Sequence, residues 1–222
     1  MSQVRLIALS QPVGLDGVQT AEELVAYCAR VSNPSNQANH DTAPRLLSYL
    51  VRNHHWSPFE MAHAVIEVVT TRDIARQILR HRSFSFQEFS QRYAAVVEDA
   101  VIREARLQDA KNRQNSVEVD DSELQIWWQE KQQLIASQTQ LAYEAALERG
   151  IAKEVARAVL PEGLTPSRLY MAGPIRSWIH YIQLRAGNGT QKEHRDIAIK
   201  CRDELLSAMP SLKEILNATQ DH

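Results

Sequence analysis

The sequence predicts a mixed α/β fold in one domain spanning residues 1–222, on three observations. Residues 3–9 and 62–71 are β-branched or part-alternating, as strands are. Apolar residues recur at helical spacing over 21–31 and 122–149. Turn-rich stretches separate these elements with no internal repeat, low-complexity tract or linker between them. A chain of 222 residues, 44% hydrophobic and 23% charged, can bury one sizeable core.

In order, QVRLIAL (3–9) predicts an opening strand, followed by a turn through Pro12, Gly14 and Gly17. Thr20 can cap a helix over 21–31, which makes Cys28 a small core residue. Residues 32–44 read as turns, and Asp41 or Thr42 starts a second helix running to about Asn53. AHAVIEVVTT (62–71) is a strand. Asp73 then opens a helix whose basic end, Arg80-His81-Arg82, forms its last turn, with Ile74 and Ile78 on the core face. Residues 99–121 form a polar, variable surface excursion. A long helix over 122–149 ends at Gly150, and its stripe of Ile126, Leu134, Leu141 and Ala145 is core or a subunit contact. A short helix over 151–159 stops before Pro161, SRLYMAG reads as a strand, and helices follow over 175–185 and 191–208.

Composition narrows the chemistry. The formal net charge is −2, so nothing draws the whole surface to a polyanion and any anion site is local. No run approaches 18 uninterrupted apolar residues, and MSQVRLIALSQPVG lacks the apolar region of a signal peptide, so the reading is a cytoplasmic protein without a membrane. Two cysteines make neither a disulfide framework nor a metal cluster, and no metal is expected.

Three clusters carry chemistry. Residues 80–93 (RHRSFSFQEFSQRY) gather Arg80, His81, Arg82 and Arg92 around serines, Glu88 and three phenylalanines. A solvated basic helix end is the plainer reading. The combination of planar forks and directional partners suits a ligand with phosphate and a polar ring better. The second cluster is NHHWSPFE (53–60), where Ser57-Pro58 forces a non-helical turn, Phe59 anchors it and His55 stands by a ring-binding pocket. The third joins Arg157 to Pro174, Arg176, His180 and Arg185, the last at a helix end before Ala-Gly-Asn-Gly.

Arg80-His81-Arg82, seven residues, Ser90, then Arg92-Tyr93 resembles the signature of the flavin-dependent thymidylate synthases. HWSPFE, ARQILRHR, VARAVLP and RSWIHYIQLR follow in that family's order, so the resemblance runs from about Ala29 to Glu193. Gln87 stands where the family commonly has Asn, Gln91 where it often has Gly, and Gly189 where a histidine often occurs.

The resemblance implies a central, mostly antiparallel sheet flanked by helices, in a homotetramer with shared active sites. It implies methylation of dUMP to dTMP, with methylenetetrahydrofolate as carbon donor, FAD as hydride source and NADPH reducing the flavin. By resemblance, Gln77, Ile78, Leu79, Arg80, Glu88, Phe89, Ser90, Gln91, Arg92, Arg157 and Arg185 contact dUMP. Ser57, Arg80, His81, Arg82, Glu88, Pro174, Ile175, Arg176 and His180 match FAD contacts. Arg185 matches the residue that polarises the uracil ring, and is the catalytic assignment. Two rivals keep part of this picture. A single-strand-binding module would use the Arg/Phe alternation of 80–93, against the acidic balance of the chain. A flavoprotein reductase would dispense with Arg157 and Arg185.

Overall fold

In the computed structural model, which describes residues 2–96 and 98–217, the chain divides into two compact units. One comprises Gln3–Val68, His81–Phe86 and the chain from Tyr170; the other comprises Val69–Arg80 and Gln87–Leu169, with Ser2. In chain order the elements are β1 (Gln3–Leu9), α1 (Ala21–Ala29), α2 (Ala43–Arg52), β2 (His63–Thr71), α3 (Arg72–Ile78) and β3 (Ser85–Glu88). Then come β4 (Arg106–Gln108), β5 (Ser116–Glu118), α4 (Ser122–Glu148), α5 (Lys153–Ala156), β6 (Pro166–Pro174), α6 (Ile175–Arg185), α7 (Lys192–Ala208) and α8 (Lys213–Asn217). The sheet order is β1-β2-β6-β3, and the expected α/β architecture with an antiparallel sheet flanked by helices holds.

In the first unit, Thr20 caps α1 as its sequence suggests. Its hydroxyl accepts from the Glu23 N–H at 3.2 Å, and the Glu23 carboxylate accepts from the Thr20 N–H at 2.9 Å. The two orphan donors of the first turn are thereby satisfied reciprocally. α7 packs on β1 and on α6, and α1 packs on α2. Phe59, Ile66, Ile175, Trp178, Ile182, Ile197 and Leu205 are wholly buried there. Trp178 also donates its indole N–H to the Ala64 carbonyl at 3.3 Å, so its polar atom is not stranded. Cys28 is only half-buried, unlike Cys201. Ser57–Glu60 winds as a 3₁₀ turn rather than a non-helical one, with proline where a missing N–H costs nothing.

In the second unit, Ile74, Ala75 and Ile78 bury one face of α3. The helix ends at Ile78, short of the basic residues expected in its last turn. The Arg80 N–H reaches back only three residues, to Gln77, which closes the helix as a tight turn. The excursion at 99–121 is ordered as a two-stranded antiparallel hairpin, with Leu107 opposite Val117. Asp109 holds its turn by accepting from the N–H groups of Lys111 (2.8 Å) and Asn112 (3.1 Å). Those donors keep its carboxyl below the usual range. Two glutamines of α4 act as peptide mimics beside this segment. Gln125 both accepts from and donates to the Ala105 backbone, and Gln132 does the same with Arg103.

α4 itself is capped by Asp121, whose carboxylate accepts from the Leu124 N–H at 2.9 Å, and is followed by Gly150 at φ +80°. Its predicted stripe does not enter the core of its own unit: Ile126, Leu134 and Leu141 are all more than half exposed. Tyr143 is the buried aromatic instead, packed with Val96 and Ala156, its hydroxyl accepting from the Val96 N–H at 3.3 Å. No helix among the described residues is long and apolar enough to cross a membrane.

Candidate active site

Within the first unit, the last turn of α6 brings Arg185 to His81. The Arg185 Nε–H donates to His81 Nε2 at 3.0 Å. An acceptor at Nε2 means that His81 is neutral, with its proton on Nδ1. Burial and the Arg185 charge lower its pKa to about 4, which agrees with that tautomer. Its ring stands edge-on to Tyr181, centroids 4.9 Å apart at 85°. The Tyr181 hydroxyl lies 3.1 Å from His194 Nε2. His194 is fully buried, and burial, with Arg185 and His81 beside it, takes its pKa to about 3. Burial pushes the Tyr181 hydroxyl well above its ordinary value. This leaves one cation, Arg185, backed by three neutral polar rings. Its two terminal amino groups make no hydrogen bond among the described residues.

At the other end of the same helix, Arg176 pairs with Glu60 of the Ser57–Glu60 turn. The His180 ring meets Trp56 edge-on, centroids 4.5 Å apart at 73°. Burial, then Arg176, lowers the His180 pKa. Pro174 precedes α6 in an extended conformation, and Ile175 donates its N–H to the Ala62 carbonyl at 2.9 Å. The 3₁₀ turn therefore sits against α6 through an ion pair and a pair of rings, with Ser57 exposed upon it.

Within the second unit, Glu88 accepts from the Ser167 hydroxyl at 2.7 Å, and Arg72 lies 3.8 Å away. Phe89 donates its N–H to the Arg168 carbonyl at 2.8 Å, and the Ser90 carbonyl accepts from the N–H groups of Tyr93 and Ala94. A pocket of about 210 Å³ is lined by Phe89, Ala95, Val96, Pro166, Ser167 and Arg168, together with Glu98. Arg92 reaches Glu154 at 3.5 Å, and Arg157 donates to the Glu154 carbonyl at 3.3 Å. Gln91 is buried, and its side-chain N–H₂ meets no partner among the described residues. Leaving such a donor unmade costs about 1–3 kcal/mol, so the position favours a ligand acceptor.

The family model for thymidylate synthase complementing proteins matches residues 15–211. The chain belongs to the flavin-dependent thymidylate synthase family. It is 52% identical over 213 residues to a probable flavin-dependent thymidylate synthase of Paramecium bursaria Chlorella virus 1, covering 96% of this chain and 98% of that one. It is 48% identical over 215 residues, with the same coverage, to the flavin-dependent thymidylate synthase of Synechocystis. Among solved structures, a UMP/dUMP methylase from Streptomyces cacaoi bound with 5-Br UMP matches with a TM-score of 0.81 and 26% identity, over 99% of this chain and 95% of that one.

Of the residues matched to flavin-dependent thymidylate synthases, His81 joins Arg185, and Arg176, His180 and Ser57 gather with Trp56 and Glu60. Glu88 to Arg92 lie together by chain, with Arg157 near Arg92 through Glu154. Arg80, Arg82 and His55 are exposed, and Gln77 and Leu79 are half-buried. Ile78 and Ile175 are wholly buried. Sequence reasoning overlooked Tyr181, His194, Arg72 and Ser167. His194 was findable, because it shares the stripe of Ile197, Ala198, Cys201 and Leu205 on α7. A histidine on a buried apolar stripe needs a polar partner.

Proposed function

We propose that this chain converts dUMP to dTMP by reductive methylation, with methylenetetrahydrofolate supplying the carbon and NADPH reducing bound FAD. The residues present suit that flavin. Arg82 and Arg80 are exposed cations for phosphate, and Trp56 with His180 offers ring edges for a planar heterocycle. Arg176, Pro174 and Ser57 complete the same set. Bound FAD supplies the hydride chemistry, and the protein's part is to orient rings and set charge.

The observation that carries the reading is Arg185 held through Nε by a neutral histidine. A guanidinium anchored on that side keeps its terminal N–H fork for two acceptors on a planar ring. Placed at a uracil, that fork favours ionisation at N3 and makes C5 a better nucleophile. Glu88, Phe89, Ser90, Gln91, Arg92 and Arg157 would hold the nucleotide, with Gln77, Ile78, Leu79 and Arg80 along one side. Ser90 positions substrate rather than attacking it, since no base pairs with its hydroxyl among the described residues.

The working form is a cytoplasmic homotetramer whose sites draw on more than one chain, and the exposed Ile126, Leu134 and Leu141 of α4 support an assembly. Purified protein incubated with FAD, NADPH, methylenetetrahydrofolate and dUMP should form dTMP, and should stop when any one is omitted. Flavin reduction without dTMP would make the chain a reductase instead.

A further inference from the structure

We propose that Tyr181 and His194 are positioning residues for Arg185, acting through His81; the proposal rests on the reading that Arg185 faces the uracil ring. The geometry forms a chain of contacts inside one unit. The Tyr181 hydroxyl and His194 Nε2 are 3.1 Å apart and buried, so neither side chain turns without losing its partner. The Tyr181 ring edge meets His81 at 4.9 Å and 85°, and the His194 ring is 6.2 Å from His81 at 84°. Two adjacent rings, one from α6 and one from α7 with centroids 5.8 Å apart, thus stand together against His81. What they fix is the direction of its Nε2 lone pair, the acceptor for Arg185 Nε at 3.0 Å.

The groups around His81 come from two helices. Arg185 and Tyr181 come from α6 and His194 from α7, while Cys201 of α7 lies near Tyr181. Burial keeps Tyr181 and Cys201 protonated and His194 neutral. Of the four side chains just named, Arg185 carries the charge, and His81 meets it as a neutral acceptor. Structural histidines buried on an apolar stripe serve packing in many proteins. Here the stripe's histidine is bonded to the ring that orients the acceptor of a catalytic guanidinium.

The test uses the full-length protein with Tyr181→Phe, which keeps the ring and removes the hydroxyl, and His194→Gln. We expect dTMP formation to fall about tenfold in each, the consequence of losing one hydrogen bond. Flavin bleaching by NADPH should stay within twofold. In an Arg185→Lys background, Tyr181→Phe should cost less than twofold more, because the guanidinium it orients is gone. A purely structural role would instead lower both half-reactions and persist in that background, and would overturn the proposal; so would dTMP formation within twofold of wild type in both variants. If His194→Gln does not fold, Tyr181→Phe decides alone. A readout free of activity separates this from the functional reading: long-range ¹H–¹⁵N spectra of the imidazoles. Wild type should show His81 protonated at Nδ1, and Tyr181→Phe a mixture of tautomers. An unchanged single tautomer would count against the proposal even where wild type forms no dTMP.

Discussion

A Cβ placed on Gly173 would lie 2.5 Å from the Phe84 ring. Phe84 cannot retreat easily, because its ring stands edge-on to the buried Trp178 at 4.8 Å and 70°. The glycine at this point of β6 therefore lets the aromatic residue behind the Arg-His-Arg motif close onto the core. Gly173→Ala should destabilise by about 1–3 kcal/mol through overpacking. For a chain of this size that is a fall of about 2–12 °C in Tm, readable by calorimetry. An unchanged Tm would show that Phe84 has another place to go.

Ser167 supports Glu88 as a buried donor to a carboxylate. Arg72, at 3.8 Å, is too far to replace it as a hydrogen-bond donor. Ser167→Ala should cost about 1.5–3 kcal/mol in a denaturant titration, the range for hydrogen bonds to charged groups. Equal midpoints for wild type and variant would mean that water takes over the bond.

Shared sites make a prediction about mixtures. Arg157→Ala and Ser90→Ala should each be inactive. Mixed one to one under conditions of demonstrated subunit exchange, they should regain activity, with about a quarter of sites carrying neither lesion if two chains complete each site. Absence of recovery would place both residues in sites built from one chain.

Local chemistry explains what could be read beforehand. Thr20 with Glu23 fixed the start of α1, Gly150 the end of α4, and β-branched runs marked β2 and β6. Arg185 was legible because it closes a helix before Ala-Gly-Asn-Gly. What escaped depends on long-range pairing. The bond of Tyr181 to His194 spans two helices, and Ser167 lies 79 positions from Glu88. The 99–121 segment read as an excursion because its strands are three residues long and are held by side chains of α4, which periodicity does not reveal. The early end of α3 escaped for a similar reason. Nothing in RHRSF signals that Phe84 must turn inward to reach Trp178.

Acid should expose the buried histidines first. In an unfolded chain a histidine titrates near 6.5, whereas here His81 and His194 hold off protonation until about 4 and about 3. Both values are depressed, so the stability these neutral rings contribute is complete above pH 6.5. It falls progressively as pH drops towards 4, because the unfolded state then binds more protons. For the fully buried His194 the slope can reach about 1.4 kcal/mol per pH unit, and half-buried His81 adds less because water reaches it. Carboxylates held low, such as Asp73 and Glu23, release their contribution only below the ordinary carboxylate range near 4. The interval from pH 6.5 to 4.5 therefore belongs to the histidines. Denaturant midpoints measured across it should slope steeply in wild type and clearly less in His194→Gln, whose side chain does not titrate. Matching slopes would show that His194 is protonated in the fold or that others set the acid response. The activity carries the same sign: Arg185 keeps its acceptor while His81 is neutral, so dTMP formation should show no acid limb near pH 6.5 assignable to His81.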